Sequence, residues 1–142
     1  MIAIRHAEPT DIPALVELMR ELGYPADADT LGRKLEWFDA SNMDALLVAE
    51  QDDTVVACIG LHAMELLPSG KLGRISAIVV APKVRRQGIG KRLLDAAIAY
   101  FDSQECTLVE VTSGERRQDA HALYRAFGFA EKRSRFIKIL AD

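Results

Sequence analysis

The sequence predicts an α/β domain of the α+β-like kind, with a mixed, mainly antiparallel sheet flanked by helices. Three observations carry that reading. Apolar runs of strand length are joined in the first half by turns too short to hold a crossover helix, which makes neighbouring strands antiparallel. Amphipathic segments, with apolar residues recurring three and four apart, stand between and after these runs. The order that results is β-α-α-β-β-β-α-β-α-β, neither strictly alternating nor segregated.

Residues 2–5 read as the first strand. Thr10 or Asp11 can cap the next helix, with Pro13 in its first turn and Leu15, Leu18, Met19 and Leu22 on its apolar face. Gly23 and Pro25 stop it. A second helix is expected over 27–41, on the face Leu31, Leu35 and Phe38. Strands at 45–50 and 55–62 flank the hairpin turn Gln51-Asp52-Asp53-Thr54, and Pro68-Ser69-Gly70 leads into a strand at 73–80 that ends at Pro82. Ile89, Leu93, Leu94, Ala97, Ile98 and Phe101 mark a helix over 90–101, followed by a strand at 107–112 and the loop Ser113-Gly114. Ala120, Leu123, Tyr124 and Phe127 give a helix over 118–127, ended by Gly128, and 135–140 is expected as a closing strand.

A chain of 142 residues suits a single domain, 1–142, with a sizeable core. A formal net charge of −3 argues against nucleic acid or an anionic membrane as the main partner. No apolar stretch approaches ~18 residues and the first residues lack a signal-peptide layout, so no membrane association and a cytoplasmic location are expected. Cys58 and Cys106 have no C-x-x-C spacing and lie in or beside strand-like runs, which predicts buried free thiols. Three dispersed histidines give no metal site. Glu17, Glu21, Asp27, Asp29 and Glu36 make an acidic face on the first two helices and the loop between them. It is either simply solvated or a rim that attracts a cationic amine.

One stretch departs from this ordinary background. From residue 78 to 94 an apolar strand stops at Pro82, passes through a glycine-bearing turn and opens directly onto a helix. Such a junction presents unpaired backbone N–H groups and the positive end of the helix dipole to an anion. Lys83, Arg85, Arg86, Lys91 and Arg92 surround it, and no acid appears until Asp95. Cations at a helix N-terminus cost roughly 0.3–1 kcal/mol each, a cost that a bound polyanion offsets. Two phosphate motifs are excluded. A P-loop needs glycine where Arg85 stands and Ser or Thr where Arg92 stands, and a dinucleotide fingerprint needs glycine where Leu93 stands. What remains is Arg85-x-x-Gly88-x-Gly90.

That pattern resembles the acetyl-CoA pyrophosphate loop, R/Q-x-x-G-x-G/A, of the GCN5-related N-acetyltransferases, the GNAT superfamily. A second motif agrees: Ala120 to Phe129, with Leu123, Tyr124, Gly128 and Phe129, resembles the superfamily's late A-x-x-(F/L)-Y-x-x-x-G-F pattern. The two stand in the right order on the right elements. Ile4-Arg5 with Ala7 and Asp11 is similar to the usual I-R-x-A-x-x-x-D opening. Glu21-Leu22-Gly23-Tyr24-Pro25, the segment Arg116-Arg117-Gln118-Asp119-Ala120-His121 and Arg135-Phe136 resemble the aminoalkylphosphonate and aminoglycoside N-acetyltransferase branch.

The resemblance implies a GNAT fold, acetyl-CoA as the acetyl-donor cosubstrate, a small-molecule amine as acceptor, direct attack in a ternary complex, and a homodimer as a common assembly. It implies that Arg85, Arg86, Gln87, Gly88, Ile89, Gly90 and Lys91 line the pyrophosphate, the glycines permitting close backbone approach. Ile78, Val79 and Val80 would pair edge-on with the pantetheine amides, between splayed fourth and fifth strands. The Ile78 N–H would donate to the thioester oxygen, and Tyr124 would be the general acid for the departing thiolate. His121, one turn before Tyr124, either contacts the cofactor or packs; His62 either borders the acceptor pocket or faces solvent. The base is not assigned. An amine of pKa about 10.4 is neutral in roughly one molecule in two thousand at pH 7, yet the fourth strand lacks the glutamate many relatives carry there. Glu110 and Glu65 are candidates by proximity alone. The alternatives to a small-molecule N-acetyltransferase are a non-catalytic acyl-CoA-binding regulatory module and acetylation of a protein or peptide amine.

Overall fold

The computed structural model describes residues 1–112, 118–132 and 135–141, without the side chains of Gln118 and Asp119. The chain divides into two compact units, Met1–Thr112 and Ser113–Asp142. The first contains β1 (Ile2–His6), α1 (Ile12–Leu22), α2 (Ala28–Ala40), β2 (Asp44–Gln51), β3 (Thr54–Glu65), β4 (Lys71–Val80), α3 (Ile89–Ser103) and β5 (Cys106–Val111); the second contains α4 (Gln118–Ala126).

The strands form one sheet in the order β1-β2-β3-β4-β5, antiparallel up to β4 and parallel between β4 and β5. The α/β class and mixed sheet are therefore as the sequence predicts. The closing strand is not. Residues 135–141 take no regular secondary structure, and Phe136, Ile137, Ile139 and Leu140 are all at least 73% exposed. Apolar composition makes a strand only where a ladder partner and a covering layer exist, and this segment has no ladder.

Local chemistry explains the remaining boundaries. Gly23, at φ 98°, ends α1 in a left-handed turn, its N–H and that of Tyr24 returning to the Met19 carbonyl. Asp52 and Asp53, at φ 51° and 63°, form the two-residue turn whose twist matches an antiparallel hairpin. Asp11 does not cap α1 with its side chain. Buried at 5% exposure, it accepts from Arg5 at 2.8 and 3.0 Å and from the Glu8 N–H at 2.7 Å, tying β1 to the start of α1. Arg5 also reaches Glu50 on β2 at 2.7 Å.

Leu15 and Leu18 of α1 and Leu31 and Leu35 of α2 form one cluster with Val48, Cys58 and Val79 of the sheet. Helix α3 buries Ile89, Leu93, Leu94, Ala97 and Phe101. Each of these side chains except Ala97 contributes about 1.5–3 kcal/mol, enough to hold the strand–loop–helix junction between β4 and α3 in place. Cys58 is a buried thiol, pushed up to about 12 by burial; Cys106 is only half-buried, because β5 is the sheet's edge strand. Among the described residues no helix is long and apolar enough to cross a membrane.

Candidate active site

β4 leaves the sheet in two steps. Between Gly60/Leu61 and Ala77/Ile75 the β3–β4 register shifts by one, so Ser76 is an extra residue bulged out of β4. On the other side, pairing with β5 stops at Ile75↔Val111, while pairing with β3 continues to Val80. Among the described residues, β4 therefore has a strand on one edge only from Ser76 to Val80. Ile78 and Val80 are half-buried there and Val79 is buried. The chain then makes a 3-10 turn at Pro82–Val84 and enters the loop.

The loop ends in a helix start that the protein leaves open. Gly88 is the residue before α3, at φ 77°, with no side-chain cap and no acid in the first turn. Among the described residues the first N–H of α3 with a carbonyl partner is that of Arg92, bound to Gly88 O at 3.1 Å, and the helix N–H groups just before it are the orphans of a helix N-terminus. Arg86 is also left-handed, at φ 68°, so two left-handed residues, Arg86 and Gly88, turn the chain just before α3. A Cβ built on Gly88 meets nothing within 4 Å, so the space in front of the loop is open. Arg86, Gln87 and Lys91 are exposed, Gly90 is half-buried, and Ile89 is buried as the anchor of α3.

Two side chains brace the loop. Arg85 donates to Glu21 of α1 at 3.0 Å and to the Val80 carbonyl at 3.3 Å, and Gln87 accepts from Gln51 at the end of β2 at 3.0 Å. Glu21 thus belongs to the loop's support rather than to a free acidic rim. Glu17 pairs with Arg20, and Asp27 accepts from the Thr30 N–H. Asp29 sits in the first turn of α2, where the helix dipole favours an acid.

Neither carboxylate named from the sequence stands ready as a base. Glu110 on β5 is engaged by the Arg74 guanidinium through both Nε and NH2. Glu65 is exposed at the far end of β3, register partner of Lys71. His62 does not face solvent: it is held between Asp44 and Ser76, at 2.7 and 2.6 Å, beneath the rings of Trp37 and Phe38. Sequence reading left His62 open and passed over Asp44 and Ser76. The only signal for them is strand register, with Asp44 the cross-strand partner of His62.

In the second unit Tyr124 is buried, its ring 5.9 Å from that of Phe129 in an edge-on contact, and the Phe129 N–H returns to the Tyr124 carbonyl at 2.9 Å around Gly128 (φ 101°). The late motif is thus a helix and its left-handed stop, closed by its own aromatic pair. His121 is half-buried. The Ser113-Gly114 loop and Arg116-Arg117 lie outside the described residues. Among the described residues no group of three or more His, Cys, Asp or Glu could hold a metal ion.

Comparison with known proteins places this geometry. The profile of the Acetyltransferase (GNAT) family matches residues 12–129. An aminoalkylphosphonate N-acetyltransferase of Salmonella typhimurium is 34% identical over 96% of this chain and 90% of its own. Among solved structures, an aminoglycoside N-acetyltransferase, AAC(6')-Iy, in complex with CoA superimposes with a TM-score of 0.87 at 18% identity, over 99% of this chain and 96% of that one. Glucosamine-6-phosphate N-acetyltransferase from Arabidopsis thaliana does so with a TM-score of 0.83 at 19% identity, over 99% of both chains. A strand that forks from its neighbour and runs into an uncapped, cation-rich helix start is therefore found in a chain that belongs to the acetyltransferase (GNAT) family, N-acetyltransferases whose typical acetyl donor is acetyl-CoA.

Proposed function

We propose that this chain transfers the acetyl group of acetyl-CoA to the primary amine of a small molecule, by direct attack in a ternary complex. The observation that carries the reading is the continuity from Ser76 to Lys91: a strand edge without a partner among the described residues, followed at once by uncapped helix N–H groups. The donor fits this stretch at both ends. Its pantetheine amides need a strand edge to bond along, which residues 78–80 supply, and its pyrophosphate needs convergent N–H donors and free space. Arg86 to Lys91 with the clear volume before Gly88 supply those. When bound, acetyl-CoA supplies the activated thioester.

The protein's own residues then have distinct tasks. The loop amides and α3 dipole hold the phosphate end, with Arg86 and Lys91 adding charge and Arg85 bracing the loop. The Ile78 N–H, two residues beyond the bulge, donates to the acyl oxygen, where negative charge grows during attack. Tyr124 donates its phenolic proton to the sulfur as the C–S bond breaks. A thiol of pKa about 8.5 leaves as a modest leaving group at neutral pH, and a phenol at about 10 is a competent donor within hydrogen-bond reach. The aminoalkylphosphonate relative makes small amines bearing an anionic group the first acceptors to try.

The test is thiol release from acetyl-CoA across aminoalkylphosphonates, aminoglycosides, polyamines and peptide N-termini, with calorimetry for acetyl-CoA binding. Binding with no release on any amine would favour a non-catalytic acyl-CoA module; no binding would end the reading. With an accepted amine, Tyr124→Phe is expected to bind acetyl-CoA normally and to lose turnover on the order of 10²-fold. An unaltered turnover number, with chemistry rate-limiting, removes Tyr124 from the mechanism.

A further inference from the structure

Four strands contribute one polar row to the sheet. Asp44, His62, Arg74 and Glu110 are register partners in turn across β2, β3, β4 and β5. The row divides at its middle. Arg74 and Glu110 close on each other as an ion pair, whereas His62 turns to Asp44 through Nδ1 and, diagonally, to the Ser76 hydroxyl through Nε2. An ionised carboxylate only accepts, so Nδ1 carries the hydrogen and donates to Asp44, leaving Nε2 as the lone pair that accepts from Ser76. The imidazole is fixed in this pose. Ser41 Oγ donates to the other Asp44 oxygen at 2.6 Å, and the Phe38 and Trp37 rings lie 5.5 and 6.1 Å from the His62 ring. Gly60 leaves room for the serine, since a Cβ there would lie 2.8 Å from Ser76 Oγ. The Asp44 and His62 side chains are 15% and 19% exposed, while Ser76 is exposed at the point where β4 parts from β5. A buffered inner end and an open outer end are what a proton path requires.

We propose that Ser76, His62 and Asp44 form a relay that removes the proton from the acceptor ammonium, the base that no acid on β4 provides. The proposal rests on the amine-acetyltransfer reading. Ser76 stands two residues before Ile78, about 6–7 Å along a strand, so an amine between the hydroxyl and an acyl carbon held near Ile78 touches both. The ammonium gives its proton to Ser76 Oγ as the serine proton passes to His62 Nε2, and Asp44 faces the imidazolium so formed. The freed amine lone pair forms the C–N bond and the C–S bond breaks; the thiolate takes its proton from the general acid, and the second proton of the now cationic nitrogen leaves to restore that acid, while the imidazolium later returns its own proton to solvent. Ser76 is the catalytic residue here; His62 stores the proton, and Asp44 is a positioning residue that fixes the tautomer.

Other groups face the imidazole region. Arg74 lies across on β4 with Glu110 behind it. Asp39 of α2 and His6 of β1 line, with Asp44 and Phe38, a hollow of about 150 Å³. Tyr100 of α3 is raised by burial first and by the Asp44 charge second. None of these is hydrogen-bonded to His62 in the described structure, so substitution at His62 isolates the relay.

The test is the pH dependence of kcat/KM for an accepted amine in wild type and His62→Gln. In wild type the profile should carry an acid limb, where the relay is blocked by a proton already on it, and level off above that limb. His62→Gln should be about 10²-fold slower at pH 7 and climb steadily with pH toward the amine's own pKa, because only free amine then reacts. Parallel profiles would reduce His62 to a structural part and overturn the relay. A readout without substrate guards against a poorly folded variant. Imidazole nitrogen NMR of the free wild-type protein should show neutral His62 as the Nδ1–H tautomer, lost in Asp44→Asn; a dominant Nε2–H form in wild type overturns the proposal. Failure of acetyl-CoA to bind would strike the acetyltransferase reading instead, and leaves the tautomer result unaffected.

Discussion

At the first turn of α2 the Asp27 carboxylate accepts from the Thr30 N–H at 2.8 Å, with Asp29 in the same turn; at the first turn of α3 Gly88 offers no side chain and the turn holds no acid. Both helices have the same four orphan N–H groups and the same dipole. α2 satisfies its end from within its own sequence. α3 surrounds its end with Lys83, Arg85, Arg86, Lys91 and Arg92 and leaves the donors to something that arrives. The difference teaches where to look for a ligand in a fold with several helix starts. An uncapped start alone is not informative, since α1 also lacks a side-chain cap and a first-turn acid; the informative one is the end where cations gather and, among the described residues, no side chain caps the donors.

The strongest way to break the comparison is to fill the open end. Gly88→Val places a branched side chain at φ 77°, a conformation such residues rarely adopt, and projects it into the clear space before the loop. Acetyl-CoA affinity should fall by at least 10²-fold by calorimetry, with the far-ultraviolet spectrum of the fold retained. Undiminished affinity would place the phosphates elsewhere. Asp27→Ala is the matched control. It removes the cap that α2 supplies for itself, so it should lower the melting temperature by a few degrees and leave acetyl-CoA affinity unchanged. If the two variants exchanged these effects, the contrast between the helix starts would be misread.

How much of this was readable from the sequence follows from the range of each interaction. The strand–loop–helix junction is contiguous, so proline, glycines and missing acids announce it within a dozen residues. The same holds for the Asp52-Asp53 turn, whereas Asp27, read as part of the second helix and its acidic face, is in fact the cap that precedes α2. The closing strand was over-read because residues 135–140 have a strand's composition, whereas a ladder depends on a partner that composition does not reveal. The Asp44–His62–Ser76 chain lay beyond sequence reading for a related reason. Its members are 18 and 14 residues apart on three strands, and Ser76 meets His62 diagonally because a one-residue bulge separates Ile75 from Ala77. Glu110 looked like a base until its cross-strand neighbour Arg74 was found to hold it.

The smallest expected effect sharpens the comparison by asking what each anion responds to. At α2 the anion is covalent. The Thr30 backbone N–H, before any other cause, lowers the Asp27 carboxyl below its ordinary value of 3.8. A group whose folded value is depressed stabilises the fold fully above the unfolded value and loses that contribution as pH falls through the folded one. Asp27→Asn keeps a good cap and removes only the charge. Wild type should therefore melt slightly higher than Asp27→Asn at pH 7, with the gap unchanged by protein or ligand concentration and closing as pH drops below about 3.8. At α3 the anion comes from solution, so its stabilisation should grow with acetyl-CoA, by about 2.7 kcal/mol at one hundred times Kd, and should persist in Asp27→Asn. The measurement is a set of melting curves for both proteins at neutral and acid pH, with and without acetyl-CoA. A gap that does not narrow at all as pH is lowered below 3.8 would mean that Asp27 acts through its shape as a cap and not through its charge.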